Sequence, residues 1–126
     1  MHVLRQTHRA LRPDARLLDI HPLGIDFAVR AGPRGLGFVD TREFARVLAA
    51  MDDAVNTVVS EGLYEETRTI RRHVTERFDT AAEAFEEATK WEHLRIPLIV
   101  RLRLRRAGKT PVEFVDTIRY RLFRRR

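Results

Sequence analysis

The sequence predicts an α/β or α+β fold, with a mixed β-sheet of about four or five strands packed by helices. Three observations predict it. Apolar residues alternate with polar ones at 25–30 and again at 112–122, and spacings of three and four mark 44–59. Proline or glycine punctuates the runs between them. A length of 126 residues suits a single domain over 1–126 with one modest core.

Residues 2–11 place Val3, Leu4, Thr7 and Leu11 at helical spacing, and Pro13 stops that helix by forcing its predecessor toward extended geometry. The apolar run "ARLLDIHP", between Pro13 and Pro22, has the length of a central, buried strand. In "IDFAVRAG", Ile25, Phe27 and Val29 alternate with Asp26, Ala28 and Arg30, which marks a strand with one face in the core. "GPRG" then turns the chain and "LGFVD" returns as the second arm of a hairpin.

Asp40 or Thr41 caps a helix that carries Phe44, Val47, Leu48, Met51, Val55, Val58 and Val59 and ends at Gly62. "LYEETRTIRRHVTERF" fits a helical face as well as a strand face; its threonine and valine content favours a long strand. Asp79 or Thr80 caps a helix through "AAEAFEEATKWEHL", rich in alanine and glutamate. Pro97 opens another, "PLIVRLRLRRAG", closed by Gly108, although its alternating tail also suits a strand. A last strand, "PVEFVDTIRYRLF", has Val112, Phe114, Ile118, Tyr120 and Leu122 as its apolar positions.

Composition narrows the class. Hydrophobic residues make up 44% and charged residues 33%, a globular rather than disordered balance. No run approaches the roughly 18–20 apolar residues of a membrane span, and the charged N-terminus lacks the apolar stretch of a signal peptide. With no cysteine for disulfides or thiolate ligands, a cytoplasmic protein is expected. Only Lys90 and Lys109 are lysines, an arginine bias that suits a GC-rich bacterial genome. The net charge of +6 is uneven: from Arg95 onward eleven Lys/Arg stand against Glu113 and Asp116, a balance of +9.

"HRALRPDARLLDIHP" resembles the segment of class I S-adenosylmethionine-dependent methyltransferases in which a helix ends R-x-L-x-P-G-G before a buried strand. "FDTAAEAFEEATKW" and "EFVDTIRYRLF" are similar to later parts of that Rossmann-like domain, whose last strand inserts antiparallel to its neighbours. Asp14 and Ala15 stand where the family prefers two glycines. The resemblance spans nearly the whole chain but only the C-terminal half of the family's domain. It implies a half-domain that begins at an internal methionine or descends from a truncated gene. The family's glycine-rich cofactor turn has no counterpart here. The one glycine cluster, Gly32 to Gly37, joins two strand-like runs and contains a proline, so it reads as a hairpin turn.

Four residues are candidates for facing a substrate: Asp19, His21, Trp91 and Arg95. His21 ends a strand, where ligands bind in doubly wound sheets, and an imidazole there positions a substrate or takes a proton. It is otherwise a turn residue beside Pro22. Asp19 is either exposed at an edge or paired, for instance with an arginine, and the structural role is the favoured reading. Trp91 begins a cluster with Glu92, His93 and Arg95, and is otherwise a core residue. The histidines share no ligand spacing, so no metal site is expected.

The resemblance implies a methyltransferase-like half-domain that binds no cofactor alone and forms a homodimer or joins a complementary chain. Completed by that chain, it would use S-adenosylmethionine to methylate a small molecule. The alternative is a non-enzymatic dimeric module whose basic C-terminal face binds an acidic protein or nucleic acid, although no nucleic-acid motif accompanies it. Arg119 and Arg121 are expected on the solvent side of the last strand and Arg124 to Arg126 as a frayed tail. Intramolecular or intersubunit pairing with the acidic stretch "EAFEEATKWE" is the expected account of this basic charge.

Overall fold

A computed structural model describes residues 2–126, and among them are four helices and five strands. The elements are α1 (His2–Ala10), β1 (Arg16–Pro22), β2 (Ala28–Ala31), β3 (Arg34–Phe38), α2 (Arg42–Ser60), β4 (Tyr64–Phe78), α3 (Ala81–Ala88), α4 (Leu98–Ala107) and β5 (Val112–Arg125). The strands form one sheet in the order β1-β5-β2-β3, with β4 also paired to β5, and it is antiparallel rather than the mixed sheet expected. The fold is thus of the α+β kind. The chain gathers into two compact units: one holds the chain up to Pro22, Arg46–Arg72 and Ile118–Arg126, the other Leu23–Ala45 and His73–Thr117.

In the first unit, Pro13 ends α1 and Asp14 turns the chain into β1 with φ +61°, a left-handed conformation that suits glycine. β1 pairs with β5 from Arg16↔Arg124 to Pro22↔Ile118. On β5's other side, Arg126 N–H donates to Leu63 C=O and the Thr67 hydroxyl donates to Leu122 C=O, so β4 runs antiparallel to β5 here too. The core joins Val55, Val58, Tyr64 and Phe123, with Leu4, Leu11 and Leu17 packed against them. Each such fully buried side chain contributes about 1.5–3 kcal/mol.

Three expectations are corrected in this unit. β1 is not a buried central strand: it lies at the end of the sheet order, and Leu18 and Ile20 are half exposed, at 54% and 50%. Its apolar run offers both faces, and only one is packed. The phase of β5 is also reversed, because Arg121 and Phe123 are buried while Tyr120 and Leu122 are only partly so. Nor is the terminus frayed. Arg125 N–H donates to Ala15 C=O, its Nε donates to His8 C=O at 2.7 Å, and Arg124 pairs with Glu65.

In the second unit, β2 and β3 form the expected hairpin. Ala31 faces Arg34 across a two-residue turn of Gly32 and Pro33, and Gly32 takes the φ of +58° that such turns require at their first position. β2 also pairs with β5, Val29 opposite Phe114. Phe27, Val29, Leu36, Val100, Leu104, Val112 and Phe114 make the core. Thr41 C=O accepts the first helical bond of α2, from Ala45 N–H, while the Asp40 carboxylate accepts from Arg42 N–H at 3.2 Å.

β4 is the long strand favoured by its threonine and valine. Thr80 caps α3, its hydroxyl accepting from Glu83 N–H, and Glu83 reaches back to Asp79 N–H. That helix is shorter than predicted and ends at Ala88, since Trp91 turns away into the core and His93 adopts φ +64°. "LIVRLRLRRA" is helical from Leu98 to Ala107, with Val100 and Leu104 buried on one face.

Candidate functional site

The pleat of two facing strands builds a charged cluster in the first unit. Across the β1–β5 ladder, Asp19 stands opposite Arg121 and His21 opposite Arg119, so alternation puts all four side chains on one face. α2 adds Asp52 and Asn56, one helical turn apart, and β4 adds Glu66. Arg119 and Arg121 are only 11% and 9% exposed at the side chain, and buried guanidiniums need such partners.

The pairing is specific. Arg119 donates from Nη1 and Nη2 to the two Asp52 oxygens at 3.0 and 2.5 Å. Arg121 donates from Nε and Nη2 to Glu66 at 3.2 and 2.8 Å, with a further bond to the Asn56 carbonyl oxygen at 3.3 Å. Its guanidinium also sits 5.0 Å from the centre of the Phe123 ring. The Arg119 hydrogen bonds hold the Asp52 carboxyl below its usual range, and those of Arg121 do the same for Glu66. Both carboxylates are therefore fixed anions whose role is to hold the arginines.

The other pair in the cluster is Asp19 and His21. His21 Nε2 lies 2.6 Å from Asp19 Oδ1, and the two side chains are 18% and 17% exposed. A carboxylate on one imidazole nitrogen fixes the ring's orientation and supports proton transfer at the other. Two buried side-chain atoms in this cluster have no hydrogen-bond partner among the described residues: Asp19 Oδ2 and Arg119 Nε.

The four predicted site residues divide into two pairs. Asp19 and His21 meet in the first unit. Trp91 and Arg95 belong to the second, where Trp91 packs with ring centres 5.5 Å from Phe27 and 5.1 Å from Phe114. Arg95 exchanges backbone hydrogen bonds with Asp40 at 2.7 and 3.1 Å and lines a hollow of about 160 Å³ with Phe85, Leu94 and Arg101. Among the described residues no group of three or more His, Asp or Glu is placed to hold a metal ion, and no helix is long and apolar enough to cross a membrane.

Asp52, Glu66, Arg119 and Arg121 were not expected in a site. Within the chain, Arg119 and Arg121 pair with α2 and β4 rather than with the "EAFEEATKWE" segment, and they point inward rather than to solvent. The signal for it was Asp52, a lone acid within the apolar stripe of Leu48, Val55 and Val59. No protein-family model matches this chain, and no curated protein is significantly similar to it.

Proposed function

We propose that this chain is the substrate-side part of a methyltransferase-like domain, one that binds no cofactor alone and offers β1 for completion by a second chain, its own copy or a complementary one. The observation that carries this reading is the place of β5, antiparallel between β1 and β4, the arrangement the family resemblance implies for a closing strand. Asp14 adds support, because it adopts the left-handed backbone of a glycine at the position where the family prefers one. In this reading the methyl donor is S-adenosylmethionine, the acceptor is a small molecule, and the compartment is the cytoplasm. His21, oriented by Asp19, faces the acceptor.

Calorimetric titration with S-adenosylmethionine and S-adenosylhomocysteine, with sedimentation of the same sample, tests it. A folded dimer without cofactor binding is expected; micromolar binding by the isolated chain overturns the half-domain reading. In the completed enzyme, His21→Ala should lower turnover without unfolding, and unchanged kinetics remove His21 from the site.

One observation favours the second reading, a non-enzymatic module for an acidic protein or nucleic acid. Arg34, Arg103 and Arg106 line one recess of about 410 Å³ with no carboxylate in its wall. The basic face in that reading is α4, since Arg119, Arg121 and Arg124 are already paired. Affinity falling steeply with salt would support it, and no binding at low salt would dismiss it.

A further inference from the structure

We propose that the recess between β3 and α4, within the second unit, is a binding site for the doubly charged phosphate group of a small phosphate monoester. Its wall is Arg34, Gly35 and Leu36 of β3 with Arg103 and Arg106 of α4, around a volume of about 410 Å³. Three guanidiniums meet there and no carboxylate answers them. Among the described residues none of the three takes part in an ion pair, and the side chains of Arg34 and Arg106 make no hydrogen bond. The inward arginines of β5, by contrast, each have a carboxylate. Three like charges around one hollow repel one another and raise its potential, a cost that a bound anion removes.

The site is partly built in advance. Arg103 and Arg106 stand three apart on α4 and so share a face of the helix. Arg103 Nη1 donates to Leu36 C=O at 3.0 Å, which fixes that guanidinium between helix and strand and leaves its other N–H groups for a ligand. Gly35 adds bare backbone to the wall. Its φ is not left-handed and nothing lies within 4 Å of a Cβ built there, so neither conformation nor packing calls for glycine. A glycine lets a ligand approach the main chain closely.

The wall chemistry selects the ligand. Guanidiniums only donate, so the ligand must accept. A phosphate monoester brings close to two negative charges and three terminal oxygens, and arginine grips it through paired N–H···O bonds. A carboxylate offers one charge and two oxygens to three cations, and a phosphate diester also carries a single charge. The volume falls in the range of about 300–1,000 Å³ usual for small-molecule sites, so it has room for the body that bears the phosphate. This site shares its recess with the second reading above but needs no macromolecular partner, and it does not depend on the methyl-transfer reading.

Phenyl phosphate, inorganic phosphate, dimethyl phosphate and acetate are the probes, titrated into the full chain at slightly alkaline pH and constant ionic strength while the backbone amides of Gly35 and Leu36 are followed by NMR. Phenyl phosphate and inorganic phosphate should bind alike, and each about ten-fold or more tighter than dimethyl phosphate and acetate. Arg103→Gln and Arg106→Gln should each weaken phenyl phosphate by about ten-fold. Arg105→Gln, on α4 but outside the wall, should change it less than about two-fold. Arg106 has no hydrogen bond to lose, so its variant still decides if Arg103→Gln fails to fold.

Equal binding of phenyl phosphate and acetate overturns the proposal, as does equal binding of dimethyl phosphate or exclusion of the phenyl ester. So does the absence of amide shifts at millimolar phenyl phosphate, or an Arg105→Gln loss as large as that of Arg106→Gln. Oligothymidylate and polyglutamate test the second reading separately. Their binding without that of phenyl phosphate overturns this site and keeps the basic module; phenyl phosphate binding alone keeps this site and dismisses that module.

Discussion

Arg119 and Asp52 meet end to end, both terminal guanidinium nitrogens donating to the two carboxylate oxygens at 3.0 and 2.5 Å. The arginine belongs to β5 and the aspartate to α2, so this pair ties helix to sheet where an apolar contact would be usual. Asp52 Oδ1 also lies 3.7 Å from Arg121 Nη1. Removing its charge leaves a nearly buried cation unbalanced, which typically costs 3–5 kcal/mol. Asp52 itself is 26% exposed, so some solvent screening remains. Asp52→Asn should cost about 2–4 kcal/mol in urea unfolding. The double variant Asp52→Leu with Arg119→Met should recover most of that loss, because it removes both charges together. A single-variant cost below about 0.5 kcal/mol would show the pair to be effectively solvated.

Three partly buried carboxyls contribute to the acid response. Asp52 and Glu66 are held below their ordinary values of 3.8 and 4.5 by arginine hydrogen bonds. Groups depressed on folding stabilise the fold above those ordinary values, and the contribution is lost as pH falls through the lower folded values. Asp116 runs the other way. Burial raises it above 3.8, so its contribution is fully present below 3.8 and is lost as pH rises through the folded value. A carboxyl-carbon NMR titration should show Asp116 protonating at a higher pH, and Asp52 at a lower pH, than exposed aspartates, and Glu66 at a lower pH than exposed glutamates. Asp52→Asn and Glu66→Gln should each flatten the loss of stability in acid. An unchanged acid limb in both variants would remove the arginine pairs as its cause.

How much of this was legible in the sequence depends on which face a strand buries. The order of elements could be read because periodicity and capping are local: Thr80 with Glu83, Pro97, and Gly108 each act within one turn. The phase of β5 could not. Val112 and Phe114 are buried on the even positions, but Arg121 and Phe123 are buried on the odd ones. Apolar Ile118, Tyr120 and Leu122 continued the even pattern, while the structure buries two arginines instead. Only the carboxylates of α2 and β4, distant in sequence, make that burial possible. The Asp19–His21 pair was half legible, as two polar residues at strand spacing within an apolar run. The orphaned oxygen of Asp19 needed coordinates.

Gly37 makes a sharp test of packing in the second unit. Its φ is +128°, and a Cβ added there would lie 2.8 Å from Val100 Cγ2. Val100 is 2% exposed on the inner face of α4 and has little room to give way. Gly37→Ala should therefore cost about 2–4 kcal/mol, combining overpacking with backbone strain. Trimming the neighbour, in Gly37→Ala with Val100→Ala, should not restore stability, because the strain persists and a cavity is added. Gly35→Ala is the control: nothing lies within 4 Å of its added Cβ, so its effect should stay within about 0.5 kcal/mol. Equal unfolding midpoints for the two single variants would contradict the close approach of β3 to α4.

The edge of β1 sets the last prediction. β1 pairs with β5 on one side, stands at the end of the sheet order, and leaves Leu18 and Ile20 half exposed. An apolar strand edge of this kind templates pairing with another strand, and charge is the usual means of blocking it. Both side chains point away from the face that carries Asp19 and His21, so replacing them leaves the charged cluster intact. In the proposed reading this edge is where a second chain adds. Leu18→Lys with Ile20→Lys should convert self-associated protein to monomer in sedimentation at micromolar concentration, with the unfolding transition of the first unit retained. If the unaltered chain already sediments as a monomer, β1 does not pair its own copy, and a complementary chain is left as its partner. If the doubly substituted chain remains a dimer, association uses another surface, and the completion of this sheet through β1 falls.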